Sequence, residues 1–208
     1  MDSTMDNHES LRFFGKVSAS VSHEIKNVFA VINEAAGLLG DLTLMAERGM
    51  ELDPERLKRV ASSIQGQVQR GDTIVKNMNR LAHSTDEADL EVELPQMVEL
   101  AVALCTRMAD MRQMHLSIGE CVPTRVVVSP FALIQLLHTA TAQALDKMSP
   151  QATLVYSVTE DAIVLSVPGQ GIELTADAAI DALAASMGVT VVPNTQDGTL
   201  ELGFNRAA

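Results

Sequence analysis

From about His8 to Ala46 the apolar residues return every three or four positions without a break, and nothing else constrains the fold of this chain as strongly. Phe14, Val21, Val28, Ala35 and Leu42 fall on one line, and Ile25, Ile32, Leu39 and Ala46 on the next. This is a coiled-coil-like seam. A flanking line of Val17, Val31, Leu38 and Met45 widens it beyond a two-stranded seam, to the width a helix needs inside a four-helix bundle. Gly49 marks a stop. Asp53-Pro54-Glu55 then offers an N-cap, a first-turn proline and an acidic first turn, so a second helix is expected from there to about His83. Its seam is Leu57, Ile64 and Met78 with Ala61, Val68 and Val75.

Two long amphipathic helices joined by a short turn make a hairpin that cannot cover its own stripe. Pairing two hairpins closes a four-helix bundle, so a homodimer is expected. The polar, aperiodic run Ser84–Asp89 reads as a linker. Beyond it strands are expected near 90–94, 115–118, 125–128, 152–158, 162–167, 189–192 and 199–204, and helices near 95–111, 130–148 and 176–187. The fold class that results is α+β: an N-terminal helical hairpin over residues 1–86, then an α/β sandwich over 87–208, with one mixed sheet carrying helices on one face.

Composition narrows the partners. A chain of 208 residues that is 47% hydrophobic has enough apolar material for two small cores, and its net charge of -12 with no basic run argues against a nucleic-acid binder. No run approaches 18 uninterrupted apolar residues, and Met1–Asp6 has neither the cationic nor the apolar part of a signal peptide, so no membrane span and a cytosolic location are expected. Cys105 and Cys121, with no Cys-x-x-Cys spacing, read as buried thiols. His83, His115 and His138 have no paired ligand, and no metal site is expected.

His23 is the residue most open to chemistry. It lies two positions from both Val21 and Ile25, about 200° around the helix from each, so its imidazole points away from the seam. Glu24 follows it, and Asn27 shares its face one turn on. Such a group can take and give a phosphoryl unit, with Glu24 holding one ring nitrogen and Asn27 orienting a water or a phosphoryl oxygen. Spacing alone favours an ordinary solvated helix face over a chemical site.

The segment Ser22-His23-Glu24-Ile25-Lys26-Asn27 resembles the H box of sensor histidine kinases, His-Glu-x-Lys/Arg-Asn/Thr. The upstream Phe13-Phe14-Gly15-Lys16-Val17 resembles the lead-in to that box. The resemblance implies that His23 accepts phosphate, that Glu24 is its acid/base partner, and that Asn27 serves dephosphorylation of a response regulator. It also implies receiver-domain partners docking around Lys16, Ser20, Lys26 and Ala30. One departure is Val28, where the family often has a helix-bending proline.

Residues 89–208 resemble, in order of elements, the ATP-binding domain of the same family, but its chemistry is missing. Gln143 stands where the family's helix carries a magnesium-holding asparagine. Val167-Pro168-Gly169-Gln170-Gly171 stands where the family has Asp-x-Gly-x-Gly, and valine cannot accept the adenine amino hydrogen bond. The lid and its Gly-x-Gly-Leu-Gly are absent, leaving Gly169 and Gly171 as turn residues. From Asp89 onward acidic residues outnumber basic ones fourteen to five, a poor setting for a triphosphate. The expectation is a histidine phosphotransferase of a two-component phosphorelay with no cofactor of its own, the only Mg²⁺ being that of the partner receiver. A divergent ATP-dependent kinase and a non-enzymatic adaptor or inhibitor are the alternatives.

Overall fold

The computed structural model describes the backbone of residues 3–194 and 197–204, with side chains from His8 onward. Met1 and Asp2 of the expected N-terminus, Thr195 and Gln196 of the expected last turn, and residues 205–208 of the expected second domain lie outside the described residues. The chain divides into two compact units, Met1–Asn79 and Arg80–Ala208.

The first unit is a helical hairpin. Helix α1 spans Ser3–Glu47 and α2 starts at Pro54, ending at His83 in the second unit. Of the stripe on α1, Val17, Val28, Ala35 and Leu42 are buried with Phe13, and Val60 of α2 is buried opposite. A Cβ on Gly71 would meet Val28 Cγ1 at 3.4 Å, so the two helices run antiparallel in close approach. The turn between them is built as the sequence suggests. Gly49 has φ +83, the left-handed conformation a helix C-terminus favours. Its N–H donates to Ala46 O at 2.9 Å, and Met50 N–H to Met45 O at 3.1 Å. Asp53 then caps α2, its Oδ1 accepting from Glu55 N–H at 2.9 Å.

The rest of the stripe is not covered within this unit. Val21, Ile25, Ile32, Leu38 and Leu39 are only half-buried, and Val31, Met45, Val68 and Val75 are exposed. By length and hydropathy α1 also holds a window that could cross a membrane. A helix whose apolar side is covered by other helices passes the same test.

The second unit takes in the end of α2, where Leu81 is fully buried and Arg80 Nη2 donates to Gln96 O at 3.0 Å. Its strands are β1 (Leu90–Glu93), β2 (His115–Cys121), β3 (Arg125–Val128), β4 (Thr153–Val158), β5 (Ala162–Ser166), β6 (Val189–Asn194) and β7 (Thr199–Phe204); its complete helices are α3 (Leu94–Asp110), α4 (Pro130–Lys147) and α5 (Ala178–Ser186). The strands form two sheets rather than the single one expected: β1 pairs with β3, and the other five lie in the order β2-β4-β5-β7-β6. The second of these is mixed, β2 parallel to β4 and the remaining pairs antiparallel.

The split has a local cause. After β2 the chain turns at Pro123, which has no N–H to give a ladder, and Thr124 Oγ1 donates to Thr159 O at 2.8 Å. Thr124 O in turn accepts from Leu94 N–H, which delivers β3 to β1 instead of to the main sheet. Leu154, Tyr156, Ile163, Leu165, Leu200 and Leu202 alternate inward from β4, β5 and β7 onto the core.

Within that core Cys105 of α3, Thr141 of α4 and Tyr156 of β4 meet, all fully buried. Thr141 Oγ1 donates to Leu137 O at 2.5 Å and hydrogen-bonds the Tyr156 hydroxyl. Burial pushes the Cys105 thiol up to about 12, against a smaller lowering from Thr141, and pushes the Tyr156 phenol well above its ordinary value. Cys121 is half-buried at a strand end, less enclosed than expected. At pH 8 the thiolate fraction of Cys105 is on the order of one in ten thousand, and thiolate is the reactive form. A disulfide reagent should therefore titrate one thiol per native chain, Cys121, and two after denaturation; two fast thiols in the native protein would contradict this core.

Candidate functional site

Because α1 buries the side bearing Val17, Val28, Ala35 and Leu42 against α2, the opposite side is left to solvent. His23 is on it and exposed, as are Asn27, Lys16, Lys26 and Ala30; Ser20 and Glu24 are half-buried. At ~100° per residue Asn27, Ala30 and Lys16 all fall within about 40° of His23, and Lys26 within about 60°. The structure therefore gathers five of the seven residues expected at the site on one exposed face. Glu24 sits about 100° round from His23, toward the side packed on α2. Ser20, about 60° round, is shielded but on the same side.

Two features of this face were not read from the sequence. The first is Arg12, exposed and about 20° from His23 in azimuth. With Lys16 and Lys26 it completes the set of Lys and Arg residues on α1, and all three share the histidine's side. The signal was there in the 3.6-residue period, but a charge eleven positions away does not stand out in a linear reading. The second is a groove of about 410 Å³ between the helices, lined by Val31, Glu34, Ala35 and Leu38 from α1 and by Arg56, Arg59, Val60 and Ser63 from α2. Glu34 and Leu38 lie within about 60° of His23, so the groove continues its face toward the hairpin turn. Only the pairing of the two helices makes it, and no stretch of sequence displays it. Phe29, 63% exposed, flanks Lys26 and is the one aromatic among the described residues that is more than a third exposed.

In the second unit the cleft between α4 and the sheet is closed. Ala140, Gln143, Ala144 and Lys147 of α4 face Leu165, Leu174, Thr175 and Leu200, and the space between them does not admit a water. Leu174 is buried there, as is Val167. The segment carrying Leu174 is tied to α4: Lys147 Nζ donates to Glu173 O at 3.1 Å and to Thr175 Oγ1 at 2.6 Å, and Ser149 N–H to Gln170 Oε1 at 3.2 Å. Gly198, at φ +65, approaches from the β6–β7 turn so closely that a Cβ would come within 2.6 Å of Ile172 O. Only six residues separate Gly171 from α5, whose cap is Asp177, Oδ1 accepting from Ala179 and Ile180 N–H at 3.0 Å.

No family model matches the sequence, and no curated relative does. Among solved structures, the cytoplasmic segment of histidine kinase QseC is similar at 13% identity with a TM-score of 0.47, over 66% of this chain and 94% of that one. The ATP binding domain of PrrB from Mycobacterium tuberculosis is similar at 16% identity with a TM-score of 0.46, over 59% of this chain and 100% of that one. Acinetobacter baumannii histidine kinase AdeS is similar at 14% identity with a TM-score of 0.42, over 83% of this chain and 96% of that one.

If Leu174 fills the cleft, truncating it should cost about 2–4 kcal/mol, the usual range for a buried leucine. Lys147→Ala, removing a largely exposed partner, should cost less than about 1 kcal/mol. Denaturant unfolding of the two variants checks the order; equal costs would mean that the polar tie, not the leucine, holds the segment.

Proposed function

We propose that this chain is a histidine phosphotransferase of a two-component phosphorelay, passing phosphate between receiver-domain aspartates through His23 without drawing it from ATP. The observation that carries the reading is His23 itself: an exposed imidazole within the H-box-like Ser22–Asn27, on the side of α1 that also holds all its cations. The filled cleft of the second unit favours relay over kinase. Leu174 lines the closed space beside Gln143, where the resemblance would seat magnesium, and Val167, at the position of the adenine-binding aspartate, is buried.

The chemistry asks little of the protein. A ring nitrogen of neutral His23 attacks the phosphorus of a receiver's aspartyl phosphate in line; the N–P bond forms as the acyl O–P bond breaks, and the aspartate carboxylate leaves with the electron pair. Glu24 accepts the hydrogen bond of the other ring N–H and stabilises the positive ring that results. The reverse step hands the phosphoryl group to a second receiver. A phosphoramidate and an acyl phosphate are close enough in transfer potential for positioning to supply most of the catalysis. Mg²⁺ belongs to the receiver's pocket.

Docking uses Lys16, Ser20, Lys26 and Ala30 around the histidine, with the groove from Val31 to Arg59 beyond it. There Arg56 and Arg59 suit acidic side chains of a receiver helix, and Val31, Leu38 and Val60 suit its apolar face. A second copy of the hairpin covers the half-buried line Val21, Ile25, Ile32 and Leu39, making the chain a homodimer. The exchange takes place in the cytosol, with no nucleic acid or membrane partner.

Receivers encoded in the same genome, loaded with radiolabelled phosphate, provide the test. Wild-type protein should take up acid-labile label and give it to a second receiver, and His23→Ala should take up none. Glu24→Gln should slow uptake at least tenfold, within the range of general acid–base assistance. Label from ATP and Mg²⁺ on wild type but not on His23→Ala would instead make the chain a kinase. Full signalling by the His23→Ala protein would make it an adaptor.

A further inference from the structure

The charges of α1 are sorted along its exposed face. Between residues 12 and 26 the cations Arg12, Lys16 and Lys26 lie within about 60° of His23, whereas the acids Glu34 and Asp41 share that face only toward the hairpin turn. Glu9, one turn before Arg12, is the single described acid on that half of the exposed face, Glu24 lying about 100° round toward α2. Among the described residues none of the three cations enters an ion pair. On α2 the nearby Asp72 and Lys76 neutralise each other at 2.7 Å. A chain of net charge -12 thus keeps three cations together on this face, and two of them, Arg12 and Lys16, lie on the side of His23 away from the groove.

We infer that Arg12 and Lys16 form a second arm of the docking surface, an electrostatic track that captures the acidic rim of the incoming receiver on the side of His23 opposite the groove. The inference rests on the phosphotransfer reading and adds to it where the partner extends. Along the helix axis Lys16 is about 10 Å and Arg12 about 16 Å from His23. A receiver of ~120 residues has a radius of gyration near 14 Å. With its aspartate on His23, such a body covers Lys16 and reaches Arg12 while its other side lies over Glu34 and the groove. Neither cation touches the reacting atoms. Their effect is on encounter, where charges at the rim change the association rate and its salt dependence more than the chemical step.

The experiment follows label transfer from receivers charged with acetyl [³²P]phosphate to the full chain, for wild type, Arg12→Glu/Lys16→Glu and the milder Arg12→Gln/Lys16→Gln, across ionic strength. The charge reversal should lower kcat/KM about tenfold or more near 50 mM salt, converge on wild type near 0.5 M, and leave kcat at saturating receiver unchanged. The neutral pair should fall between. Circular dichroism and sedimentation velocity should show the same helicity and assembly state for all three. Wild-type kcat/KM with wild-type salt dependence in the charge-reversed protein overturns the inference. So does loss of the assembly in both variants, which would place the two cations between copies of this chain. Co-sedimentation of wild type with phosphatidylcholine vesicles containing phosphatidylglycerol, abolished in the reversed variant whose transfer is normal, would assign the track to a membrane and equally overturn it. Binding of the same receivers to His23→Ala separates the two claims: salt-sensitive binding that needs Arg12 and Lys16, without transfer to wild type, keeps the track and removes the phosphotransfer reading.

Discussion

Everything at the candidate site depends on which side of α1 is packed against α2. Burial of Val17, Val28, Ala35 and Leu42 fixes the rotation of a 45-residue helix about its own axis, and the rotation decides what solvent sees. Turn α1 by a third of a revolution and His23 would lie against α2, while the groove between Leu38 and Arg59 would vanish. The contact of Val28 with Gly71 belongs to this packing and lies five residues from His23, so the rotation is set close to where it matters. Side chains of one methyl or none at Ala35 and Gly71 let the helices approach; the wider apolar residues lie on the flank left for another surface.

The hairpin was legible because its signal is periodic and long. A seam repeated over some forty residues averages out single exceptions, and the stops at Gly49 and Asp53 are backbone chemistry that sequence expresses directly. Strands of the second unit were placed nearly as well, since alternation in Thr153–Val158 or Thr199–Phe204 reports a half-buried surface. Which strand would pair with which was not legible. The departure of β3 to β1 turns on Pro123 and on Thr124 bonding to Thr159 and Leu94, contacts between residues up to thirty-five positions apart.

The site divides along the same line. His23, Asn27, Lys26 and Ala30 sit within two turns of helix, where position in sequence translates directly into position on a face. Arg12 lies three turns away, and the groove needs both helices. In the second unit the substitutions Gln143 and Val167 could be read one by one, whereas the residue that closes the space, Leu174, gives no sign of doing so until Lys147 and the β6–β7 turn are seen to hold its segment in place.

Leu174 behaves as an internal ligand. A small molecule that stabilises a cleft does so in proportion to its concentration relative to its dissociation constant, and the fold it supports then follows the supply of that molecule. A side chain tethered a few residues from α5 is present at a fixed, high effective concentration and cannot be diluted or consumed. The lining of the space between α4 and the sheet is therefore set by the chain itself and not by the supply of any solute.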